Sequence, residues 1–284
     1  MRRLVSLLGI GLLLAACTGA GATGSIPART YNVATGPDQL VLRITNGGGL
    51  VPIEYTLTNA PWFALYGDGL IVIQGPVDAT CPLPLLPNLR QMRVTPAEIQ
   101  KIVAAADGVG LLGPDARFDA TGIFDAGTTT FTTIVDGKTH TIGAYALGYG
   151  VTVADAAMAE ARKKLSGFEG DLGDLAGFLS RDISDAKAYD AAAMRVFARP
   201  ADSSAQTGTT RQILAWPLIV DPGSAGEATN TPAIRCQVLS GSDLDAFVAV
   251  AKTANTQTVW TYGINSYSVL VRPLYPDETG CPAS

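Results

Sequence analysis

The sequence predicts an α+β fold in which antiparallel sheets pack against helices, arranged as two related sheet-helix-sheet units. Hairpins are indicated where Asp68-Gly69 and Asp136-Gly137 separate strand-like runs, because an Asp-Gly pair accepts the positive φ angles of a tight turn. Helices are indicated where apolar residues recur at helical spacing after Thr95 and after Thr152. Hairpins combined with packing helices are typical of the α+β class.

The first unit contains most of the predicted strands. We expect strands at residues 39–44, 53–57, 62–66, 70–73, 91–94, 130–135 and 138–145. Their β-branched and apolar residues, with turn residues between them, are typical of paired strands. Gly47-Gly48-Gly49 lacks the lysine and the following helix of a phosphate-binding loop, so we predict a turn there.

The clearest helix begins at Thr95-Pro96-Ala97-Glu98. Thr95 can cap the helix, Pro96 lies where its missing N–H costs nothing, and Glu98 can bond back to the cap. Four apolar residues then share one face: Ile99, Ile102, Val103 and Ala106. A second helix is predicted over residues 152–166, and a short one between residues 169 and 189.

The second unit partly repeats the first. Its predicted strands are residues 194–198, 213–216, 234–239 and 266–271. A helix that opens at Ser240 follows a short strand, as the helix at Thr95 does, and its apolar residues fall at the same offsets. A structural repeat explains this pattern, and chance similarity between two capped helices remains the alternative.

The first sixteen residues have the features of a signal peptide. Arg2 and Arg3 form a charged start, residues 4–14 form an apolar run, and small residues precede Cys17. The apolar run is too short to cross the roughly 30 Å hydrocarbon core of a bilayer. We therefore expect export, followed by a glycine-rich flexible tether over residues 17–37 and two folded units over residues 38–180 and 181–284.

Leu14-Ala15-Ala16-Cys17 resembles the lipobox of bacterial lipoproteins. The resemblance implies a diacylglyceryl group on the sulfur of Cys17 and cleavage before that residue, which would place the protein on the extracytoplasmic face of the cell membrane. Two acyl chains anchor a protein far more firmly than one, since each buried methylene contributes about 0.8 kcal/mol. An ordinary signal peptide with an incidental cysteine is the alternative.

Residues 55–168 resemble an exported bacterial domain of unknown function. The resemblance rests on Phe63-Ala64-Leu65-Tyr66-Gly67-Asp68-Gly69, on the capped helix at Thr95, and on the strand that leads to Asp136-Gly137-Lys138. The whole chain resembles uncharacterised actinobacterial envelope lipoproteins. These resemblances imply an envelope location and transfer no catalytic residue.

The net charge argues against nucleic acid as a partner. The chain has a formal charge of −5, and removing Arg2 and Arg3 with the leader would lower it by two, to −7. Nucleic acids and anionic bilayer surfaces both require a basic patch. The anchor on Cys17 is therefore the expected membrane contact, and an envelope protein or a wall component is the expected partner.

Three cysteines remain once Cys17 is set apart, and disulfides are expected outside the cytoplasm. Cys236 lies on a predicted strand and Cys281 lies just beyond the last one, so we predict a disulfide between them that holds the C-terminal tail. Cys81, in a proline-rich stretch, would then be free. A bridge to Cys81 is the alternative. The cysteine spacings and the single histidine predict no metal or cofactor site.

The candidate catalytic groups are weak. Ser184 and Lys187 fit the SxxK pattern of serine acyl-transfer enzymes, but the companion motifs are absent. His140 could act as a general base near Asp125 or Asp136, although a solvent-facing strand position explains it more simply. Three acids could offer calcium ligands, although capping and solvation explain them as well: Glu169, Asp171 and Asp174.

The tryptophans could bind a sugar or a peptide if they were exposed on a sheet. Core packing is the simpler interpretation of Trp62, Trp216 and Trp260. These observations predict a non-enzymatic binding or structural module of the cell envelope. An extracytoplasmic hydrolase or transferase is the alternative, and a deep pocket with two convergent ionisable groups would favour it.

Overall fold

A computed structural model describes residues 29–77, 79–180, 186–202 and 211–282. The chain divides into residues 1–30 and one compact unit, Tyr31–Ser284. The predicted signal peptide, Cys17 and Ser184 lie outside the described residues. No helix within the described ranges is both long enough and apolar enough to cross a bilayer.

The structure confirms the α+β class. The strands of the described residues are, in chain order, β1 (Leu40–Gly47), β2 (Phe63–Tyr66), β3 (Leu70–Gln74), β4 (Leu89–Arg93), β5 (Ala116–Arg117), β6 (Thr128–Val135), β7 (Lys138–Tyr145), β8 (Lys187–Ala188), β9 (Ala193–Pro200), β10 (Ile213–Ala215), β11 (Glu227–Ala228), β12 (Arg235–Ser240), β13 (Val259–Tyr262) and β14 (Asn265–Pro273). The helices are α1 (Ile53–Thr58), α2 (Pro96–Gly108), α3 (Ala156–Gly173), α4 (Leu175–Leu179) and α5 (Gly241–Ala251).

The strands form two sheets. The first has the order β5-β7-β6-β1-β2-β3-β4-β8, and the second has the order β10-β13-β14-β9-β12-β11. All neighbouring strands are antiparallel except the pairs β5–β7 and β10–β13, which are parallel. Since β8 joins the first sheet and the second sheet begins with β9, the change of sheet falls after Ala188 rather than at residue 180.

Both predicted hairpins are present. β2 and β3 pair on either side of Gly67-Asp68-Gly69, and β6 and β7 pair on either side of Asp136-Gly137. Gly69 has a φ of +84°, and a Cβ there would lie 2.1 Å from the carbonyl oxygen of Val94. The turn therefore needs glycine both for its conformation and for its close approach to β4.

Each sheet packs one face against helices. The first core lies between the first sheet and the helices α2, α3 and α4, and it includes Phe63, Phe131 and Phe168. The predicted capping box of α2 is present, since Thr95 accepts a hydrogen bond from the N–H of Glu98 and Glu98 accepts one from the N–H of Thr95. The second core lies between the second sheet and α5.

Residues 53–57 form a helix, so the prediction of a strand there was wrong. β1 already has β2 on one side and β6 on the other, which leaves the segment no free edge of β1 to pair with. It folds instead as the single-turn helix α1, in which the hydroxyl of Thr58 donates to the carbonyl of Glu54 at 2.7 Å.

The packed body begins earlier than the sequence predicted. Tyr31 is buried, its N–H donates to the side chain of Gln100 at 2.8 Å, and its hydroxyl donates to Asp107 at 2.9 Å. The N–H of Asn32 donates to Asp136 at 2.9 Å. The end of the predicted tether of residues 17–37 is thus part of the compact unit.

The helix predicted over residues 152–166 begins and ends later, as α3. Asp155 caps it by accepting a hydrogen bond from the N–H of Met158 at 2.7 Å. The helix continues through two glycines because Leu165, Phe168 and Leu172 are buried in the first core. Packing therefore outweighs the low helix propensity of glycine here.

The two predicted units have the same type of helical connection between parallel strands, but they differ in the number of strands between the connected pair. In each sheet the chain passes through a helix between two strands that run parallel: β4 and β6 are connected through α2 and the short strand β5, and β12 and β14 through α5 and β13. Three strands separate the linked pair in the first sheet, and only β9 separates it in the second.

The segment after β14 joins the second sheet to the first. Asp277 accepts hydrogen bonds from Arg43 on β1 at 2.5 Å and from the hydroxyl of Tyr66 on β2 at 2.7 Å. Arg272 donates to both carboxylate oxygens of Glu278 at 2.7 Å. Burial, together with the hydrogen bond to Asp277, raises the pKa of Tyr66, so this hydroxyl stays protonated.

Candidate functional site

An apolar cleft opens where the two sheets meet. We call it the junction cleft, and its volume is about 430 Å³. Its walls come from α1, from the segment between β3 and β4, and from β14. The apolar residues of the walls are Tyr55, Ala60, Pro76, Val77, Leu83, Pro84, Leu85, Leu86, Pro87, Leu89, Leu270 and Val271.

Several polar side chains of the walls are already bonded within the protein. The amide of Gln74 donates to the carbonyl of Ala60 at 2.8 Å, and the amide of Asn88 donates to the carbonyl of Pro76 at 2.9 Å. These hydrogen bonds hold the wall in place, and they engage amide N–H groups that could otherwise donate to a ligand. The surface presented to a ligand is therefore mainly apolar.

The proline-rich wall is held in place by the segment between α5 and β13. The N–H of Leu85 donates to the carbonyl of Ala254 at 3.0 Å, and the N–H of Thr256 donates to the carbonyl of Leu83 at 2.9 Å. Leu85 itself is part of the second core. Backbone hydrogen bonds at Leu83 and Leu85 therefore fix this wall before any ligand binds.

One carboxylate lines the junction cleft. Glu54 forms an ion pair with Arg199 at 2.7 Å, and both side chains are partly exposed. The pair links α1 to β9. No second acidic or basic side chain is among the described residues that line the cleft, so Glu54 has no acidic or basic partner facing the cleft with it.

A second, more polar cavity lies beside the turn that follows β1. This acidic pocket has a volume of about 300 Å³, and it is lined by Asn46, Gly47, Gly48, Val51, Tyr55, Asp125, Gly127, Thr129, Leu147, Tyr149 and Glu169. Two carboxyl groups and no basic side chain line it. Burial raises the pKa of Glu169 to about 7, so this carboxyl titrates near neutral pH.

The histidine and the triple glycine have structural roles. Nδ1 of His140 lies 2.7 Å from the carbonyl oxygen of Gly113, and the ring is half-buried rather than facing solvent as predicted. Gly48 and Gly49 have φ values of +78°, and they form the predicted turn beside the acidic pocket.

The three acidic residues considered as calcium ligands have different surroundings in the structure. Asp174 caps α4 by accepting from the N–H of Gly177 at 3.1 Å, Glu169 lines the acidic pocket, and Asp171 is exposed. Among the described residues, no three His, Cys, Asp or Glu side chains are grouped so that they could hold a metal ion.

The tryptophans belong to the cores. Trp216 and Trp260 are buried beside Phe247, with ring centroids 5.3 to 5.7 Å apart, and Trp62 packs against the first core. Trp216 and Trp260 are thus covered, whereas Trp62 is half-buried. Core packing is therefore the interpretation that holds for these residues.

The structure joins Cys236 and Cys281 in a disulfide and leaves Cys81 free and exposed. The disulfide attaches the C-terminal segment to β12. Cys81 lies in the segment between β3 and β4, shortly before the proline-rich wall of the junction cleft.

The junction cleft itself was not predicted from the sequence. Its walls come from three distant segments, and no periodicity connects them. One local signal was available: Pro82-Leu83-Pro84-Leu85-Leu86-Pro87 is apolar yet lacks the spacing of a helix or a strand. Of these residues only Leu85 is buried, so the segment leaves apolar side chains such as Leu83 exposed at the cleft.

Comparison with family models, curated proteins and solved structures finds no match for this chain. The resemblances drawn from the leader and from residues 55–168 therefore stay predictions.

Proposed function

We propose that this chain is a non-enzymatic, lipid-anchored binding protein of the bacterial cell envelope, held on the extracytoplasmic face of the cell membrane through Cys17. Its ligand is an envelope protein or a wall component, and the junction cleft holds an apolar part of that ligand. The junction cleft is the observation that carries this proposal. Its size lies within the range of about 300 to 1,000 Å³ common to small-molecule sites.

The chemistry of the cleft favours binding over turnover. Its walls are apolar, its amide donors at Gln74 and Asn88 are bonded internally, and its one carboxylate, Glu54, is paired with Arg199. A hydrolytic site needs at least two convergent groups that can move a proton or attack a bond. Apolar burial in a preformed cleft, by contrast, needs none.

The anchor is tested by detergent phase partitioning of membranes from cells that produce the full chain. We expect wild-type protein in the detergent phase and Cys17→Ala in the aqueous phase. Cys81→Ala is the matched control, because it removes a cysteine outside the leader, and it should partition as wild type does. Equal recovery of wild type and Cys17→Ala in the aqueous phase would contradict the anchor.

The cleft is tested with N-phenylnaphthylamine, a neutral dye that fluoresces in apolar surroundings. Leu83→Lys places a charge on the cleft wall, and we expect it to weaken dye binding at least about tenfold, since burying an unpaired charge is unfavourable. Leu50→Lys, at another exposed leucine outside the cleft, is the control. Similar binding by the two variants would rule out the cleft as the binding site.

The acidic pocket supports a second candidate function, an extracytoplasmic hydrolase or transferase. Asp125 and Glu169 line the same cavity, and a carboxyl with a pKa near 7 suits proton transfer at neutral pH. Nitrophenyl glycosides and esters test this candidate. Turnover by wild type that Glu169→Gln and Asp125→Asn both abolish would favour the enzyme, and absence of turnover across the panel would favour the binding protein.

A further inference from the structure

The outer edge of β12 is only partly covered. β9 pairs with β12 along the whole of Arg235–Ser240, but on the other side β11 pairs only with Arg235 and Cys236. Gly226, which precedes β11, has a φ of +65° and lies against the backbone of β12, since a Cβ on it would be 2.0 Å from the carbonyl oxygen of Cys236 and 2.8 Å from the Cα of Gln237. Within the described residues, no strand lies beside Gln237, Val238 and Leu239 on that side.

The backbone of Val238 faces this open side. The N–H of Thr229 donates to the carbonyl of Ile234, which shows that Ile234 points toward β11. Backbone groups alternate in direction along a strand, so Cys236 and Val238 point the same way. Cys236 is paired with Glu227 on β11, whereas Val238 presents its N–H and C=O without a strand to receive them.

A groove of about 740 Å³ runs along this edge, and we call it the edge groove. Apolar side chains line it, and three of them are exposed: Ile219 by 92%, Val220 by 57% and Val238 by 38%. Nε2 of Gln237, which also lines the groove, is buried without a hydrogen-bond partner among the described residues. Apolar surface beside an unpaired strand edge is typical of a site that accepts another strand.

The charge of the edge groove selects among partners. Glu227 and Asp243 line it with exposed side chains, and no lysine, arginine or histidine is among the lining residues. Arg195 and Arg235 border the groove, but they already donate to backbone carbonyls of its wall, those of Gly280 and of Ala225 and Gly226. A second copy of this chain, paired edge to edge, would bring these carboxylates toward those of its neighbour, which is unfavourable. A segment that carries lysine or arginine would instead be attracted.

We propose that the edge groove binds an extended peptide segment of another protein, which adds as a strand beside Val238. Its apolar side chains pack against Ile219 and Val220, and a lysine or arginine of the segment lies near Glu227 or Asp243. The main-chain hydrogen bonds supply part of the affinity, and the side chains supply the preference for sequence. This site is separate from the junction cleft and does not depend on what that cleft binds.

The test uses a labelled peptide in which valine alternates with lysine and threonine, followed by fluorescence anisotropy. We expect it to bind at least about tenfold more tightly than the same peptide with glutamate in place of lysine. A version with alternate backbone amides methylated keeps the side chains but cannot complete the strand ladder, so it should lose binding. Equal binding of the methylated peptide would overturn strand addition.

Two variants locate the peptide. Ile219→Lys adds a like charge to the groove and should abolish binding of the lysine peptide, whereas Ile264→Lys changes an equally exposed isoleucine outside the groove and should not. Circular dichroism of both variants confirms that they fold. If both bind alike, the groove is not the site. If sedimentation shows a dimer that Ile219→Lys dissociates, the occupant is a second copy and the proposal is wrong.

Discussion

At the scale of single residues, Arg162 shows how a buried charge can organise a fold. Its guanidinium is buried on α3 and donates to three backbone carbonyls, those of Phe118, Tyr145 and Ala146, at 2.5 to 2.8 Å. It therefore ties the helix to the end of β7 and to the segment after β5. Removal of the guanidinium would take this donor from all three carbonyls, of which that of Tyr145 also accepts from the N–H of Ala120.

We predict that Arg162→Met lowers the free energy of unfolding by at least about 2 kcal/mol, because methionine keeps the packing but donates no hydrogen bond. Lys164→Met, two positions along the same helix at an exposed site, is the control and should have little effect. Urea titration followed by circular dichroism measures both. Equal midpoints for the two variants would show that the three bonds contribute nothing.

Glu278 gives a pH-dependent contribution to stability. Burial alone would raise the pKa of this carboxyl, but Arg272 more than offsets burial and holds the pKa below its ordinary value of 4.5. A carboxyl whose pKa is lower in the folded state than in the unfolded state stabilises the fold at pH values above the unfolded-state pKa. This stabilisation is lost as the pH falls through the folded-state pKa.

We predict that Glu278→Gln costs about 3 kcal/mol at pH 7, because it leaves Arg272 buried without its partner. The variant should also lose part of the acid sensitivity of the wild type below pH 4.5. Thermal unfolding between acidic and neutral pH measures both effects. Asp171→Asn, at an exposed acid, should follow the wild-type curve.

The contribution of Glu169 to stability depends on pH in the opposite direction. Burial raises its pKa to about 7, so the folded state favours the neutral carboxyl and loses stability as the pH rises from 4.5 through that value. We predict that Glu169→Gln matches the wild type near pH 4 and melts a few degrees higher at pH 8. A variant that is less stable than wild type at pH 8 would show that the charged carboxyl has a favourable partner in the fold.

At the scale of elements, the two N-caps of α2 and α5 provide a matched pair. Thr95 accepts a hydrogen bond from the first turn of α2, whereas Ser240 makes no side-chain cap bond to α5. We predict that Thr95→Ala lowers the free energy of unfolding by about 1 kcal/mol and that Ser240→Ala changes it by less than about 0.5 kcal/mol. Denaturant midpoints at constant m-value measure the difference, and equal costs would contradict the assigned caps.

The elements also show what local sequence can predict. The hairpins at Asp68-Gly69 and Asp136-Gly137 and the helix at Thr95 depend on turns and caps of a few residues, and all were predicted. Residues 53–57 alternate as a strand does, but their state depends on β1 having two partners, which no local pattern reveals. The strands β5, β8 and β11 have two residues each, too few to show any period.

The candidate sites were harder to predict than the elements that form them. Glu169 was considered only as a calcium ligand, because nothing along the chain places it beside Asp125 and Tyr149. The open edge of β12 follows from where β11 ends, which is a property of pairing between segments. Sites assembled from distant segments require the register of the sheets, and register is not visible in a single strand.

At the scale of the whole molecule, we predict that the two sheets unfold together, since both belong to one compact unit. Trp62 reports on the first core, and Trp216 and Trp260 report on the second. In a variant that keeps only Trp62, the fluorescence therefore reports on the first core. In a Trp62→Phe variant, it reports on the second. Each should show the same midpoint by fluorescence as by far-ultraviolet circular dichroism, and separated midpoints would indicate two independent bodies.

The two halves of the chain exchange a residue with each other. Leu85, from the first half, is buried in the second core, and Tyr275, from near the C-terminus, is buried against the open face of the first sheet. If the chain were divided between the sheets, each fragment would lack a side chain of its own core, because the other fragment carries that side chain. Such fragments are suited to complementation. Each should fold poorly alone, and the two should associate and regain the native fold when they are mixed, as the halves of a split reporter protein do.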